Sequence, residues 1–234
     1  MLIADLTLPA SRARWFAEKS DPTTASDRGY VARTVAMETF KENMRTFRVY
    51  ENGDKMKIVG LVRGNEIVRP RSVAVDSLKH NIEFIPFEVN EGDEIWLEVL
   101  ACPLKSVGGR RNDKDGANEK RRRTIDVAES RNYNGRPAAY NAWLQHLLKD
   151  PDSGCLPMSV ARFRHVEPFQ VLRKRHKGPV PTHSFKAPMF DGSIKVKVLD
   201  VAKFEAFLFR GIGRMRAFGF GAMIPKEALN EILQ

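Results

Sequence analysis

The chain has 234 residues, 42% of them hydrophobic, with 39 Lys+Arg against 29 Asp+Glu and a net charge of +10. This composition excludes a disordered chain and a membrane span, and the length suits two domains of about a hundred residues each. The two cysteines, Cys102 and Cys155, lie far apart and outside any CxxC spacing, so neither a disulfide framework nor a zinc site is expected, and a reducing cytoplasm fits. The opening MLIADLTL lacks a basic flank and is interrupted by Asp5, so it reads as a strand rather than a signal peptide.

In chain order, residues 2–8 alternate as a strand, and a loop rich in Ser, Asp, Pro and Thr follows over 20–27. A helix starts near Tyr30, capped by Ser26 or Asp27, with an apolar face of Ala36, Phe40, Met44 and Phe47. A hairpin comes next, with strands over 45–50 and 56–63 joined at Asn52 and Gly53. A short helix over 72–79 and a strand over 82–89 complete a first unit. The turn Asn90-Glu91-Gly92-Asp93 then divides the chain into residues 1–91 and 92–234.

The second part opens with a strand ending near Pro103 and a long basic loop to Arg136. Pro137 opens a helix whose face carries Tyr140, Trp143, Leu144, Leu147 and Leu148, and Pro151 stops it. Strands over 160–172 and 193–198 follow. Asp200 caps a helix with a stripe of Val201, Phe204 and Leu208, Gly211 ends it, and residues 220–224 form a closing strand. The order strand, helix, strand, strand, helix, strand thus occurs twice. It predicts an α+β chain of two tandem ferredoxin-like (βαββαβ, RRM-like) domains.

The positive charge is concentrated in residues 105–123, 162–177 and 210–216, which carry +5, +5 and +3 and leave −3 for everything else. Three basic patches on a near-neutral background imply a polyanion partner. Lys105 and Arg121, Arg122 and Arg123 mark the first patch, and Arg173 and Arg175 the second. The third reads GIGRMRAFGFG, with Gly211, Gly213, Gly219 and Gly221 interleaved with Arg214, Arg216 and two phenylalanines. The glycines would let backbone amides approach a phosphate, and the arginines would add charge-assisted contacts. A dinucleotide fingerprint is excluded, because the segment follows a helix and leads into a strand.

The run FLFRGIGRMRAFGFGAMI resembles the C-terminal glycine-rich signature of the CRISPR repeat-processing endoribonucleases of the CasE type. IWLEVLACPLK, EKRRRTIDV and AYNAWLQHLL resemble other segments of that family, as do, in the first half, the strand over 2–8, PASRAR and the helix after Tyr30. The resemblance implies a protein that binds the stem-loop of a CRISPR repeat transcript and cuts at its 3′ base by 2′-hydroxyl attack, with no metal and no other cofactor. It also implies a prokaryotic, cytoplasmic subunit that stays on the mature guide RNA within an interference complex, of type I-E or type IV, away from any membrane.

That resemblance further implies a catalytic histidine at the start of the first long helix, often three residues after a tyrosine. This helix reads GYVARTVAM and has none. The family position falls on Arg33 if Tyr30 is matched, or on Ala32 if the Arg-Thr pair is matched. Arg28 and Arg33 can stabilise a phosphorane and a departing oxygen, but arginine, charged to above about pH 12, is a poor base. Two readings stay open: a slow endoribonuclease around Arg28, Tyr30 and Arg33, or an inactive hairpin-binding subunit whose histidine is lost, with Ala32 as the substituted position. A translation-associated RNA-binding protein of the same fold is a third, which would not need the glycine loop.

Overall fold

The computed structural model describes residues 1–20, 27–64, 82–107, 123–129, 133–173 and 183–233. Its first sheet contains β1 (Leu2–Pro9), β2 (Met44–Asn52), β3 (Lys55–Val62) and β4 (Ile82–Pro86), ordered β2-β3-β1-β4 and antiparallel throughout. This is the strand order of a ferredoxin-like fold. β1 is paired on both edges, and both of its faces are also covered. Ala4, Leu6 and Leu8 pack under helices α1 (Ala10–Ser20) and α2 (Arg28–Phe40), while Ile3 joins Val59 and Leu61 in a core shared with the second half.

Helix α1 is absent from the sequence reading because its buried stripe is only Ala13, Phe16 and Ala17, and Trp15 faces solvent. α2 ends at Phe40, where Lys41 turns the chain at φ 48°. Met44 and Phe47 therefore lie on β2, not on the helix. All four residues of the expected helical face are nonetheless buried in one cluster, because helix and strand present them to the same core. The expected helix over 72–79 and nearly all of the loop over 20–27 lie outside the described residues.

Asp5 points to the other face of β1, 3.1 Å from Lys57 Nζ. Burial outweighs that partner and holds the carboxyl above its ordinary 3.8. A raised carboxyl pKa means that the fold prefers the protonated form. Its contribution is complete below the ordinary value and is lost as pH rises through the raised one. Asp5→Asn should flatten this part of the stability profile, read as Tm against pH, and Lys57 keeps its bond to Ile232 O at 2.5 Å. An unchanged slope would show that this carboxyl is not the group responsible.

The second half contributes β5 (Glu94–Ala101), β6 (Leu104–Val107), β7 (Arg123–Asp126), β8 (Cys155–Pro157), β9 (Arg162–Arg173), β10 (His183–Val198) and β11 (Ala222–Pro225). The sheet order is β11-β5-β10-β8, with β9 pairing the remaining length of β10. The ferredoxin-like order is repeated. Leu97, Val99, Ile194 and Val196 pack without exposure against Tyr140, Leu144 and Leu148 of α3 (Gly135–Leu148) and Phe204 and Leu208 of α4 (Val201–Arg210). Asp200 caps α4, its carboxylate accepting from Lys203 N at 3.0 Å.

Several elements depart from the sequence reading. The basic loop contains the β6–β7 ladder, β10 begins at His183 rather than near Ser193, and β8 and α5 (Lys226–Leu233) are additional. β10 reads as broken in sequence because Pro188, Asp191 and Gly192 interrupt its alternation. Its pairing with β9 accommodates them, with a register shift at Asp191 and Gly192. The halves are joined by a shared apolar cluster and by the ion pair of Arg48 with Asp191 at 3.0 Å; within the second half Arg164 bridges the same Asp191 at 2.7 Å and Glu98. Among the described residues, no helix is long and apolar enough to cross a membrane.

Candidate functional site

The start of α2 is fixed by Asp27, whose carboxylate accepts from Tyr30 N at 2.9 Å. This cap sets the phase of the helix. Val31, Ala32, Val35 and Ala36 turn into the core, whereas Tyr30 and Arg33, three residues apart, share the opposite side. Ala32 has no exposed surface. A side chain at residue 32, the position offered as a substituted catalytic one, enters the apolar core and lies away from the side shared by Tyr30 and Arg33.

Facing Tyr30 and Arg33 is the loop from Gly211 to Gly221. Phe218 spans the gap: its ring meets Tyr30 edge-on at a centroid distance of 4.9 Å, and the Arg33 guanidinium carbon lies 5.5 Å from its centroid. A cleft of about 530 Å³ opens beside this contact, between the start of α2 and the loop. Asp27, Arg28 and Gly29 form one lip, and Phe218, Gly219 and Phe220 the other. Val49 of β2, Leu100 of β5, Phe169 and Gln170 of β9 and Met189 of β10 line the rest, with the Phe169 and Phe220 ring centroids 4.1 Å apart. The walls are mostly apolar, and Asp27 and Arg28 place one charge of each sign on one lip.

Arg28 on the lip and the arginines of the adjoining loop are oriented by their own contacts. Arg28 donates from Nη2 to Val49 O at 2.9 Å and pairs with Glu51 at 3.2 Å. Arg214 donates to Ser106 Oγ at 2.5 Å, which ties the glycine loop to β6, the strand that carries Lys105. Arg216 donates from Nη1 to Arg210 O at 2.7 Å. Arg123 begins β7 and Arg173 ends β9, so both occupy the ends of hairpins. Arg121, Arg122 and Arg175 lie outside the described residues.

The glycines act differently from the expected phosphate cradle. Gly211, Gly213, Gly219 and Gly221 all take positive φ, but three of their amides are occupied. Gly211 N donates to Phe207 O at 3.0 Å, Gly219 N to Arg216 O at 3.2 Å, and Gly221 N to Leu100 O at 2.6 Å. These glycines therefore serve the fold of the loop, and its charged groups are the arginine side chains. Cys102, whose carbonyl accepts from Arg214 N at 3.3 Å, is fully buried, and burial pushes its thiol up to about 12, too high for a nucleophile.

Among the described residues no histidine lines the cleft. His146 lies on α3, and His165 on β9 sits 3.6 Å from Glu167. Nor does any group of His, Cys, Asp or Glu among the described residues have the geometry to hold a metal ion. Sequence reasoning missed Leu100, Phe169, Gln170 and Met189 as site residues, since nothing local distinguishes them from ordinary strand positions. Phe218 and Phe220 carried a visible signal, as aromatics interleaved with the glycines.

Two tandem ferredoxin-like domains define the class of fold. A Cse3 CRISPR endoribonuclease bound to a 19-nt RNA has it, at TM-score 0.62 and 17% identity over 96% of this chain and 99% of that one. So does a Thermus thermophilus Cse3 bound to an RNA representing a pre-cleavage complex, at 0.57 and 17% over 96% and 97%. The CRISPR-associated protein Cas6e of Escherichia coli K-12 matches at 0.52 and 15% over 96% and 98%. No curated protein sequence matches the chain. The profile of the family described as CRISPR associated protein matches residues 47–224, and the chain belongs to that family.

Proposed function

We propose that the chain binds the stem-loop of a CRISPR repeat transcript, cuts it slowly at its 3′ base without metal, and remains on the product. The observation that carries this reading is the contact of Tyr30 and Arg33 with Phe218, which joins the start of α2 to the glycine loop across an open cleft. The solved RNA complexes of similar fold support an RNA ligand, and similarity to a CRISPR RNA-guided surveillance complex supports assembly with other interference subunits.

In the proposed reaction the 2′-oxygen attacks the adjacent phosphorus and loses its proton to solvent hydroxide. The P–O5′ bond breaks and the 5′-oxygen takes a proton. The products are a 2′,3′-cyclic phosphate and a 5′-hydroxyl. Arg33 supplies charge to the phosphorane, and Tyr30, three residues away on the same side of the helix, donates to the leaving oxygen. Arg28 holds the flanking phosphate, while Lys105, Arg123, Arg173, Arg214 and Arg216, with Arg121, Arg122 and Arg175, bind the stem. The apolar floor of Leu100, Phe169 and Met189 suits a nucleobase drawn out of the stack at the scissile step.

A second reading, a hairpin-binding subunit that does not cut, is favoured by the absence of histidine from the cleft among the described residues. One assay separates the two: a labelled repeat hairpin incubated with the chain in EDTA, with product ends identified. Cleavage leaving a cyclic phosphate, with no inflection in rate near the ordinary histidine pKa of about 6.5, supports the first. Tight binding without product supports the second, and an inflection there would implicate a histidine outside the cleft.

A further inference from the structure

A cluster of arginines on the far side of the glycine loop takes no part in the cleft. Arg63, at the end of β3, places its guanidinium carbon 4.4 Å from the centroid of Phe209, and Arg45, at the start of β2, places its own 5.6 Å from the same ring. Phe209 belongs to α4 and is buried beneath them, while both arginines are exposed. Arg210 follows at once, and its carbonyl anchors Arg216 of the glycine loop. The cluster adjoins that loop directly, since a Cβ at Gly211 would press on Thr46, the neighbour of Arg45.

None of Arg45, Arg63, Arg210 and Arg216 forms an ion pair with another described residue. Two like charges held against one ring repel each other, and among the described residues no carboxylate lies within ion-pair distance of either. A guanidinium lying on an aromatic ring keeps its N–H edge open, the edge that grips a phosphate through two hydrogen bonds. Contacts link this pair to the start of α2: Arg210 follows Phe209, Arg216 donates to the Arg210 carbonyl, and Phe218, two residues further on, carries Arg33. A folded stem needs no such path, but a single strand leaving its base does.

We infer that Arg45 and Arg63, stacked on Phe209, form a second RNA contact, which holds the phosphates of the single-stranded segment flanking the hairpin. The inference rests on the hairpin-binding reading and extends it. Free phosphate or a protein carboxylate is a weaker match, because the positive charge does not end at this ring but continues through Arg210, the neighbour of Phe209, to Arg216, which donates to the Arg210 carbonyl.

The test compares a flush repeat hairpin with the same hairpin carrying a short single-stranded extension on either side, both with a 2′-deoxy scissile nucleotide. The full chain is measured as wild type and as the Arg45→Ala/Arg63→Ala double variant. One extension should tighten wild-type binding about tenfold, and the variant should lose most of that gain while binding the flush hairpin as before. The salt slope on the extended RNA should fall by about 1.4, for two single-strand phosphate contacts at roughly 0.7 each. Retention of the gain by the variant, or no gain in wild type, overturns the inference. If wild type prefers neither hairpin to a scrambled duplex, the hairpin reading fails instead, and the extension-dependent difference between wild type and variant still decides the platform. The exposed positions of both arginines let circular dichroism confirm that the variant is folded.

Discussion

Arg33→Ala should slow repeat cleavage by about a hundred- to a thousandfold, the usual cost of removing one preorganised group from a site where transition-state charge develops. Affinity for the uncleaved hairpin should change little. Arg33 is one turn into α2, and its guanidinium is steadied by the Phe218 ring rather than by a carboxylate that would neutralise it. Its full charge is therefore available to the phosphorane. Arg33→Lys keeps the charge but loses the planar stack and fork, so an intermediate rate is expected. Single-turnover kinetics on saturating enzyme separates the chemical step from binding. A rate unchanged in Arg33→Ala would remove this residue from the reaction, and equal losses in rate and affinity would make it a binding residue instead.

Gly211→Ala should cost the fold on the order of 3 kcal/mol and lower Tm by roughly 6–12 °C. Gly211 closes α4 at φ 67° and ψ 177°, a region that is essentially glycine's alone. A Cβ there would lie 2.6 Å from Gly221 O and press on the Thr46 methyl. The Gly221 carbonyl accepts from Ile212 N at 3.0 Å, so the added carbon would prise open the contact that closes the loop on itself. Gly53→Ala is the matched control, because it also has positive φ, at 61°, but has nothing within 4 Å of the added carbon. It should cost about 1 kcal/mol. Equal losses for the two variants would show that backbone strain alone, without the collision, accounts for Gly211.

Much of this arrangement can be read locally. The caps at Asp27 and Asp200, the β2–β3 turn at Asn52 and Gly53 and the alternation of Ile194, Val196 and Val198 are each set within a few residues, and the element order gave both halves. The errors lie where tertiary pairing overrides local pattern. Phe40, Met44 and Phe47 keep a helical spacing that Lys41 interrupts, and Pro188 and Gly192 break an alternation that β9 restores by pairing. Tyr30, Arg33 and the glycine loop stood out by residue type, yet the meeting of residues 30 and 218 had no signal in one sequence. The apolar floor was invisible for the same reason, since Leu100, Phe169 and Met189 come from three strands that only the folded sheet brings together.

Two halves with the same strand order usually suggest two copies of one job. Here they divide it: one half brings the start of α2, the other brings Phe218, and the ring contact between them is what turns two surfaces into a cleft. Neither half carries a fragment of the site that is useful by itself. A chain that lost or rearranged either repeat would keep a foldable pattern but no place for a substrate, so tolerance to change should be lowest at the seam between the repeats and higher within each one. The doubling serves here as a way of making a crevice, in which the second copy supplies the opposite wall.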